Sequence, residues 1–167
     1  SCPCIVFFHG GAWGTGNKEM YRLFGRRLRD EGFVAVVAGY ATYPAADADA
    51  QMQSVGTLVQ WVRQSIGNYG GDASSIFLCG HSSGAHITAM HVLTKEAGEI
   101  KGYIGLSGVF NIVHHYQFEQ RRHMHEVSPM KAACLGEQNF ERFSPSLLVG
   151  SLSQDNLDRI PPVLLVH

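Results

Sequence analysis

Unbroken apolar runs alternate along this chain with stretches in which apolar residues recur every three or four positions. Cys4-Ile5-Val6-Phe7-Phe8 and Phe33-Val34-Ala35-Val36-Val37-Ala38 are short and rich in β-branched and aromatic residues, the pattern of strands buried on both faces of a parallel sheet. Ile76-Phe77-Leu78-Cys79 repeats it, Gly102 to Leu106 gives a weaker fourth strand, and Pro161 to Val166 a fifth. Between the strands, three sets keep helical spacing: Met20, Leu23, Phe24 and Leu28; Met52, Val55, Val59, Val62 and Ile66; Ala85, Ala89, Val92 and Leu93. Asn17 can cap the first helix and Gly32 stop it. The second runs from about Gln51 to Ile66, and a turn over Gly67 to Asp72 delivers it to the third strand. Strands alternating with helices, without internal repeats, require right-handed crossovers. The expected fold is therefore α/β, a mostly parallel sheet with helices on both faces, in one domain over residues 1–167.

The periodicity fails between Phe110 and Ser146, where a polar, His-rich stretch carries scattered Tyr116, Phe118, Met124, Met130 and Phe140. A run of ~35 residues without strong periodicity inside a compact domain reads as a lid or binding element. Residues 110–146 are expected to form a cap, and Trp13, Tyr116 and Phe118 are candidates for an apolar substrate pocket. For any one aromatic or methionine within residues 110–146, anchoring the cap to the domain is an equally good account.

Chemistry enters at Gly80-His81-Ser82-Ser83-Gly84, which follows the third strand and opens the helix of Ala85 and Ala89. In a G-x-S-x-G elbow the serine takes a strained backbone conformation that lifts its hydroxyl above a sheet, and the flanking small residues let strand and helix approach. Ser82 is the candidate nucleophile. The Gly-rich loop His9-Gly10-Gly11-Ala12-Trp13-Gly14 leaves the first strand and can aim consecutive N–H groups at one point, as stabilising an oxyanion requires. Gly11, Ala12 and, through its own N–H, Ser83 are the candidate donors. Gly11, Gly14 and Gly16 do not satisfy a dinucleotide-binding fingerprint, and no Lys-Ser/Thr follows for a phosphate loop. Both chemical loops fall at the carboxyl ends of strands, where open α/β sheets place their sites. His86, one turn beyond Ser82, points along its helix and fits a hydrogen-bonded packing role better than that of a general base. His9 fits a loop-shaping role.

Composition narrows the classes. A formal net charge of −1, with basic clusters confined to Arg26-Arg27-Arg29 and Arg121-Arg122, offers no footprint for nucleic acid. No apolar run approaches the ~20 residues of a membrane span. Cys2 and Cys4 share a strand face and Cys79 lies in a strand, so the cysteines give no disulfide framework, and reduced thiols favour an intracellular setting. His114, His115, His123 and His125 fall close together but lack a metal-ligand spacing, so neither a metal nor a cofactor is expected. The sequence opens without Met, enters a strand at once and ends at His167 directly after another, so both ends read as cuts through a larger protein.

The chain resembles the α/β-hydrolase superfamily, in its branch of hormone-sensitive-lipase-like carboxylesterases, and within it the prenylcysteine-methylesterase-like and kynurenine-formamidase-like members. His9-Gly10-Gly11-Ala12-Trp13 is similar to that branch's H-G-G-G/A motif, and Gly70-Gly71-Asp72 also matches. The first of these groups is further resembled through Gly80 to His86, Ser107-Gly108-Val109-Phe110-Asn111 and Phe143-Ser144-Pro145. Gly39-Tyr40-Ala41 departs from the Asp-Tyr-Arg of many relatives, which puts local strand-end contacts in doubt. The resemblance implies a serine esterase acting on a small-molecule ester through an acyl-enzyme, with the acid after the last strand and the base beyond it, both past His167. Asp155 or Asp158 with His167 stand in the right order for an in-chain triad, but both acids precede that strand. A formamidase or other amidase of the same fold, or a catalytically inactive binding member, are the alternative readings.

Overall fold

The computed structural model describes residues 1–94 and 100–167. Five strands form one parallel sheet in the order β2-β1-β3-β4-β5. They are β1 (Cys2–Phe8), β2 (Val34–Ala38), β3 (Gly71–His81), β4 (Gly102–Leu106) and β5 (Val163–Val166). The α/β expectation holds, and the sheet's alternation sorts its side chains onto two faces. Cys4, Val6, Phe8, Ile76 and Leu78 pack on one face beneath α2 (Ala48–Ser65) and α3 (Ser83–Thr94), where Val55, Val59, Val62, Ala89 and Met90 meet them. Ile5, Phe7 and Cys79 point to the other face, against Phe24 and Leu28 of α1 (Arg22–Asp30). Each large apolar side chain so enclosed contributes roughly 1.5–3 kcal/mol relative to exposure.

The chain passes from β1 to β2 on one side and returns to β3 on the other, so strand order reverses between β1 and β3. Helices α1 and α3 leave these two strands toward opposite faces, opening a crevice above their carboxyl ends, which is where such sheets place ligands. The register Phe8↔Gly80 sets the two loops side by side.

Several boundaries differ from the sequence reading. The first helix begins as a 3-10 turn at Lys18–Tyr21, capped by Asn17, whose side chain accepts the Glu19 N–H at 3.0 Å. Met20 and Leu23 are exposed, so only part of the expected apolar stripe meets the sheet. Helix α2 starts earlier than expected because the Asp47 side chain accepts the Ala50 N–H at 2.9 Å and caps it there. Strand β5 is paired with β4, yet Val163 to Val166 stay about half-exposed, so helices cover both faces over β1 and β3 and leave β5 open.

Residues 110–146 are not irregular. They hold α4 (Ile112–Arg121), α5 (Met130–Ala133), a 3-10 turn at Glu137–Asn139 and the start of α6 (Pro145–Val149), and α7 (Gln154–Leu157) follows before β5. Tyr116, Met130 and Phe140 are buried in the core that α2 and α3 share with the sheet, whereas Phe118 and Met124 face solvent. Among the described residues no helix is long and apolar enough to cross a membrane.

Candidate active site

Ser82 sits at the junction of β3 and α3 with φ 51°. For a residue with a side chain this left-handed conformation costs on the order of 1–3 kcal/mol and persists only where the surroundings over-determine it. They do so here. The Ser82 N–H donates to the Leu106 carbonyl at the end of β4 (2.9 Å), and its carbonyl accepts the His86 N–H in the first turn of α3 (3.1 Å). Its hydroxyl enters no hydrogen bond among the described residues. A Cβ on Gly80 would stand 2.5 Å from the Ala85 nitrogen, and one on Gly84 would collide with the Phe8 and His9 carbonyls. A Cβ on Gly10 would lie 2.9 Å from that of Ser82, so the loop after β1 rests directly on the elbow.

That loop is folded about one carbonyl. The Gly11 oxygen accepts the N–H groups of Gly14 (3.0 Å) and Thr15 (2.9 Å) and the Thr15 hydroxyl (2.9 Å). Ala12 and Trp13 are both left-handed, at φ 48° and 61°. Among the described residues, no hydrogen bond is donated by the N–H of Gly11, Ala12 or Ser83. Ser83 opens α3, and the first N–H groups of any helix lack an intrahelical partner. Ala12, Trp13, Ser82 and Ser107 (φ 46°) thus gather non-glycine strain at the ends of β1, β3 and β4, the distribution expected of a functional site. From sequence, Ser107 enters only as part of the Ser107 to Asn111 match to the methylesterase-like group and not as a site residue.

His9 is buried beneath the loop, its Nδ1 2.9 Å from the Gly10 carbonyl and its ring stacked on Tyr40 at 4.5 Å between centroids. Tyr40 donates its hydroxyl to the His9 carbonyl (2.7 Å). The departure at Gly39-Tyr40-Ala41 therefore leaves the strand end anchored, by an aromatic stack and a neutral hydrogen bond. His81 faces Tyr21, Nδ1 to hydroxyl, at 3.0 Å.

The indole of Trp13 donates to His86 Nδ1 (3.0 Å), and His86 Nε2 donates to the Phe143 carbonyl (2.7 Å). Burial pushes the His86 imidazolium pKa down to about 4, the bond to Phe143 opposing this only in part. The unfolded chain therefore binds that proton first, near the ordinary histidine value of about 6.5. Native stability is full above that value and falls as pH drops toward about 4. The loss expected from this one group is about 3 kcal/mol. Urea unfolding followed from pH 7 to pH 4 should show it, and His86→Gln should flatten that part of the profile; an unchanged slope would contradict the assignment.

The three candidate pocket residues differ in exposure and in partners. Trp13 is enclosed in the core with its N–H committed to His86. Tyr116 is buried with its hydroxyl donating to Glu137 (3.1 Å) and its ring edge-on to Phe140. Phe118 is half-exposed, beneath the Arg122 guanidinium. Asp155 and Asp158 lie at the amino-terminal side of β5, Asp158 bonded to Gln154, and neither is hydrogen-bonded to Ser82. His167 follows β5, two strands from β3. Burial raises the thiol pKa of Cys4 to about 11 and those of Cys79 and Cys134 to about 12. Among the described residues no group of three His, Cys, Asp or Glu side chains is placed to hold a metal ion.

Comparison with known proteins bears on this geometry. Over 99% of its length the chain superposes on inhibited esterase B from Lactobacillus rhamnosis with a TM-score of 0.81 at 20% identity, covering 56% of that chain. It is 29% identical over 182 residues to the isoprenylcysteine alpha-carbonyl methylesterase of Arabidopsis thaliana, matching 99% of this chain and 42% of that protein. It is 32% identical over 115 residues to the kynurenine formamidase of Danio rerio, matching 66% of this chain and 38% of that protein. The chain thus spans less than half the length of these curated relatives. The BD-FAE family model matches residues 1–167, and with the elbow, the Gly-rich loop and the sheet order in place, the chain belongs to the BD-FAE family and has the α/β-hydrolase fold.

Proposed function

We propose that this chain carries the nucleophile and oxyanion hole of a serine carboxylic-ester hydrolase. The observation that supports it best is Ser82 held at φ 51° on a strand–helix elbow, against a loop whose Gly11 and Ala12 N–H groups, with that of Ser83, have no acceptor among the described residues. Ser82 Oγ attacks the ester carbonyl carbon, the carbonyl oxygen takes the negative charge and receives the three N–H groups, and a base removes the hydroxyl proton and returns it to the departing alcohol. Water then cleaves the acyl-enzyme by the same route. Residues 110–146, which hold α4, α5 and the start of α6, serve as the cap. We assign the acid and base to residues outside 1–167, following the resemblance in strand order; among the described residues no histidine or carboxylate is hydrogen-bonded to Ser82.

The methylesterase relatives favour a methyl ester of an isoprenylated cysteine as substrate, and the formamidase relative favours N-formylkynurenine as the second reading. Assay of the natural-length protein on p-nitrophenyl esters of rising chain length, a prenylcysteine methyl ester and N-formylkynurenine, with an organophosphonate probe, separates them. Turnover of the methyl ester with labelling at Ser82 is expected. Turnover of N-formylkynurenine alone would favour the amidase, and neither turnover nor labelling would leave an inactive binding protein.

Ala12 gives an independent check on the oxyanion hole. Ala12→Gly suits φ 48° better than alanine does and keeps the N–H, so it should retain most activity. Ala12→Pro lacks the N–H and cannot reach a positive φ, and should cost about 10²–10³-fold in kcat. Equal rates in two variants of native circular dichroism would contradict the role.

A further inference from the structure

We propose that His86 is the positioning residue of this site: as its Nε2–H tautomer it ties the residue after the oxyanion donor Ala12 to the helix that begins beside Ser82, and ties both to the chain entering α6. The inference rests on the reading of Gly11 and Ala12 as oxyanion donors.

The geometry leaves one arrangement of protons. An indole nitrogen only donates, so the Nδ1 that Trp13 meets at 3.0 Å is unprotonated; a carbonyl only accepts, so the Nε2 that meets Phe143 at 2.7 Å carries the hydrogen. The ring spends its one acceptor and its one donor on segments 73 and 57 residues away in sequence. Trp13, His86 and Phe143 are each no more than 1% exposed.

Trp13 needs this hold. With Ala12 it forms a left-handed pair that relaxes unless it is fixed from several sides. Its carbonyl accepts the Tyr43 N–H (2.8 Å) and the Gln51 side-chain amide (2.9 Å), which fixes the peptide after it. Its indole meets His86 edge-on, with centroids 5.2 Å apart, and donates to it. Carbonyl and side chain together hold the Trp13 backbone in place, and with it the end of the loop on which Ala12 presents its N–H. At the far end, Phe143 precedes Ser144, whose hydroxyl accepts the Ile112 N–H (2.9 Å) and donates to the Phe140 carbonyl (2.7 Å), so the same clasp reaches the first turn of α4.

Mis-aimed oxyanion donors weaken the transition state more than the bound substrate, so the loss should appear in kcat and not in KM. In the natural-length protein with an activated ester, Trp13→Phe removes the indole N–H and should lower kcat about 10-fold. His86→Leu removes both bonds and should lower it by about 10–10²-fold, while His86→Gln, whose amide offers one acceptor and one donor, should recover most of the loss. The double variant Trp13→Phe/His86→Leu should fall no lower than the worse single variant. Independently of turnover, the Trp13 indole N–H resonance, identified by its absence from Trp13→Phe, should exchange slowly with solvent, move in His86→Leu and hold in His86→Gln.

Wild-type kcat in Trp13→Phe, additive losses, a change confined to KM, or a fast-exchanging indole would each overturn the proposal. Should His86→Leu fail to fold, Trp13→Phe and the indole resonance still decide it. Failure of the underlying functional reading looks different: Ser82→Ala would keep its activity while the indole resonance stayed as described.

Discussion

Ser82→Ala in the natural-length protein is expected to lower kcat/KM on an activated ester by about 10³-fold or more, because members of a nucleophilic triad act as a unit. It should leave the thermal midpoint where it is. The Ser82 hydroxyl makes no hydrogen bond among the described residues, and both elbow contacts are backbone bonds, to Leu106 and from His86, that alanine preserves. Alanine bears the same φ 51° strain as serine. The result that checks the assignment is therefore a dissociation: rate lost, stability kept, and phosphonate labelling abolished. Labelling that survives in Ser82→Ala would remove Ser82 from the chemistry, and a loss of rate that tracks a fall in the thermal midpoint would reduce the effect to folding.

The strands and the elbow were legible in the sequence because each obeys a local rule. An apolar run such as Cys4 to Phe8 has one stable environment, the interior of a parallel sheet, and Gly80 and Gly84 flank a serine that no bulkier neighbours would let turn. What escaped was set by tertiary partners. Met20 and Leu23 look like core by spacing, but the 3-10 turn at Lys18–Tyr21 shifts the phase of the helix and only Tyr21, Phe24 and Leu28 reach the sheet. Residues 110–146 lack a clean period because their helices are short and each buries only a few side chains, set by contacts distant in sequence: Tyr116 against Phe140, the Ser144 hydroxyl at the Ile112 N–H, and Arg142 on Asp49. From sequence, Trp13 is a candidate pocket residue. Its commitment to His86, 73 residues on, has no signature in either neighbourhood.

Residues 1–167 expressed alone are expected to hydrolyse an activated short-chain ester by no more than roughly 10³–10⁴-fold over water, the level an oxyanion hole sustains without its triad. Of the nine histidines, those near the site are already engaged. His86 has both ring nitrogens committed and resists protonation, which disqualifies it as a base that must become imidazolium. His9 is buried with its Nδ1 at the Gly10 carbonyl, and His81 turns its Nδ1 to Tyr21. His115 faces Glu119 at 3.5 Å on α4, and His91 lies against Gly56 of α2. His167 stands two strands from Ser82 at the exposed edge. Without a base, Ser82 keeps an alcohol's high pKa and attacks poorly at neutral pH. The exposed Val163 to Val166 edge should also make the isolated residues prone to association. The measurement compares kcat/KM of residues 1–167, shown folded by circular dichroism and monodisperse, with that of the natural-length protein. A difference of several orders of magnitude is expected. Comparable values would place the base within these residues, and because His86 is closed by its two hydrogen bonds, His167 would be the first histidine to replace.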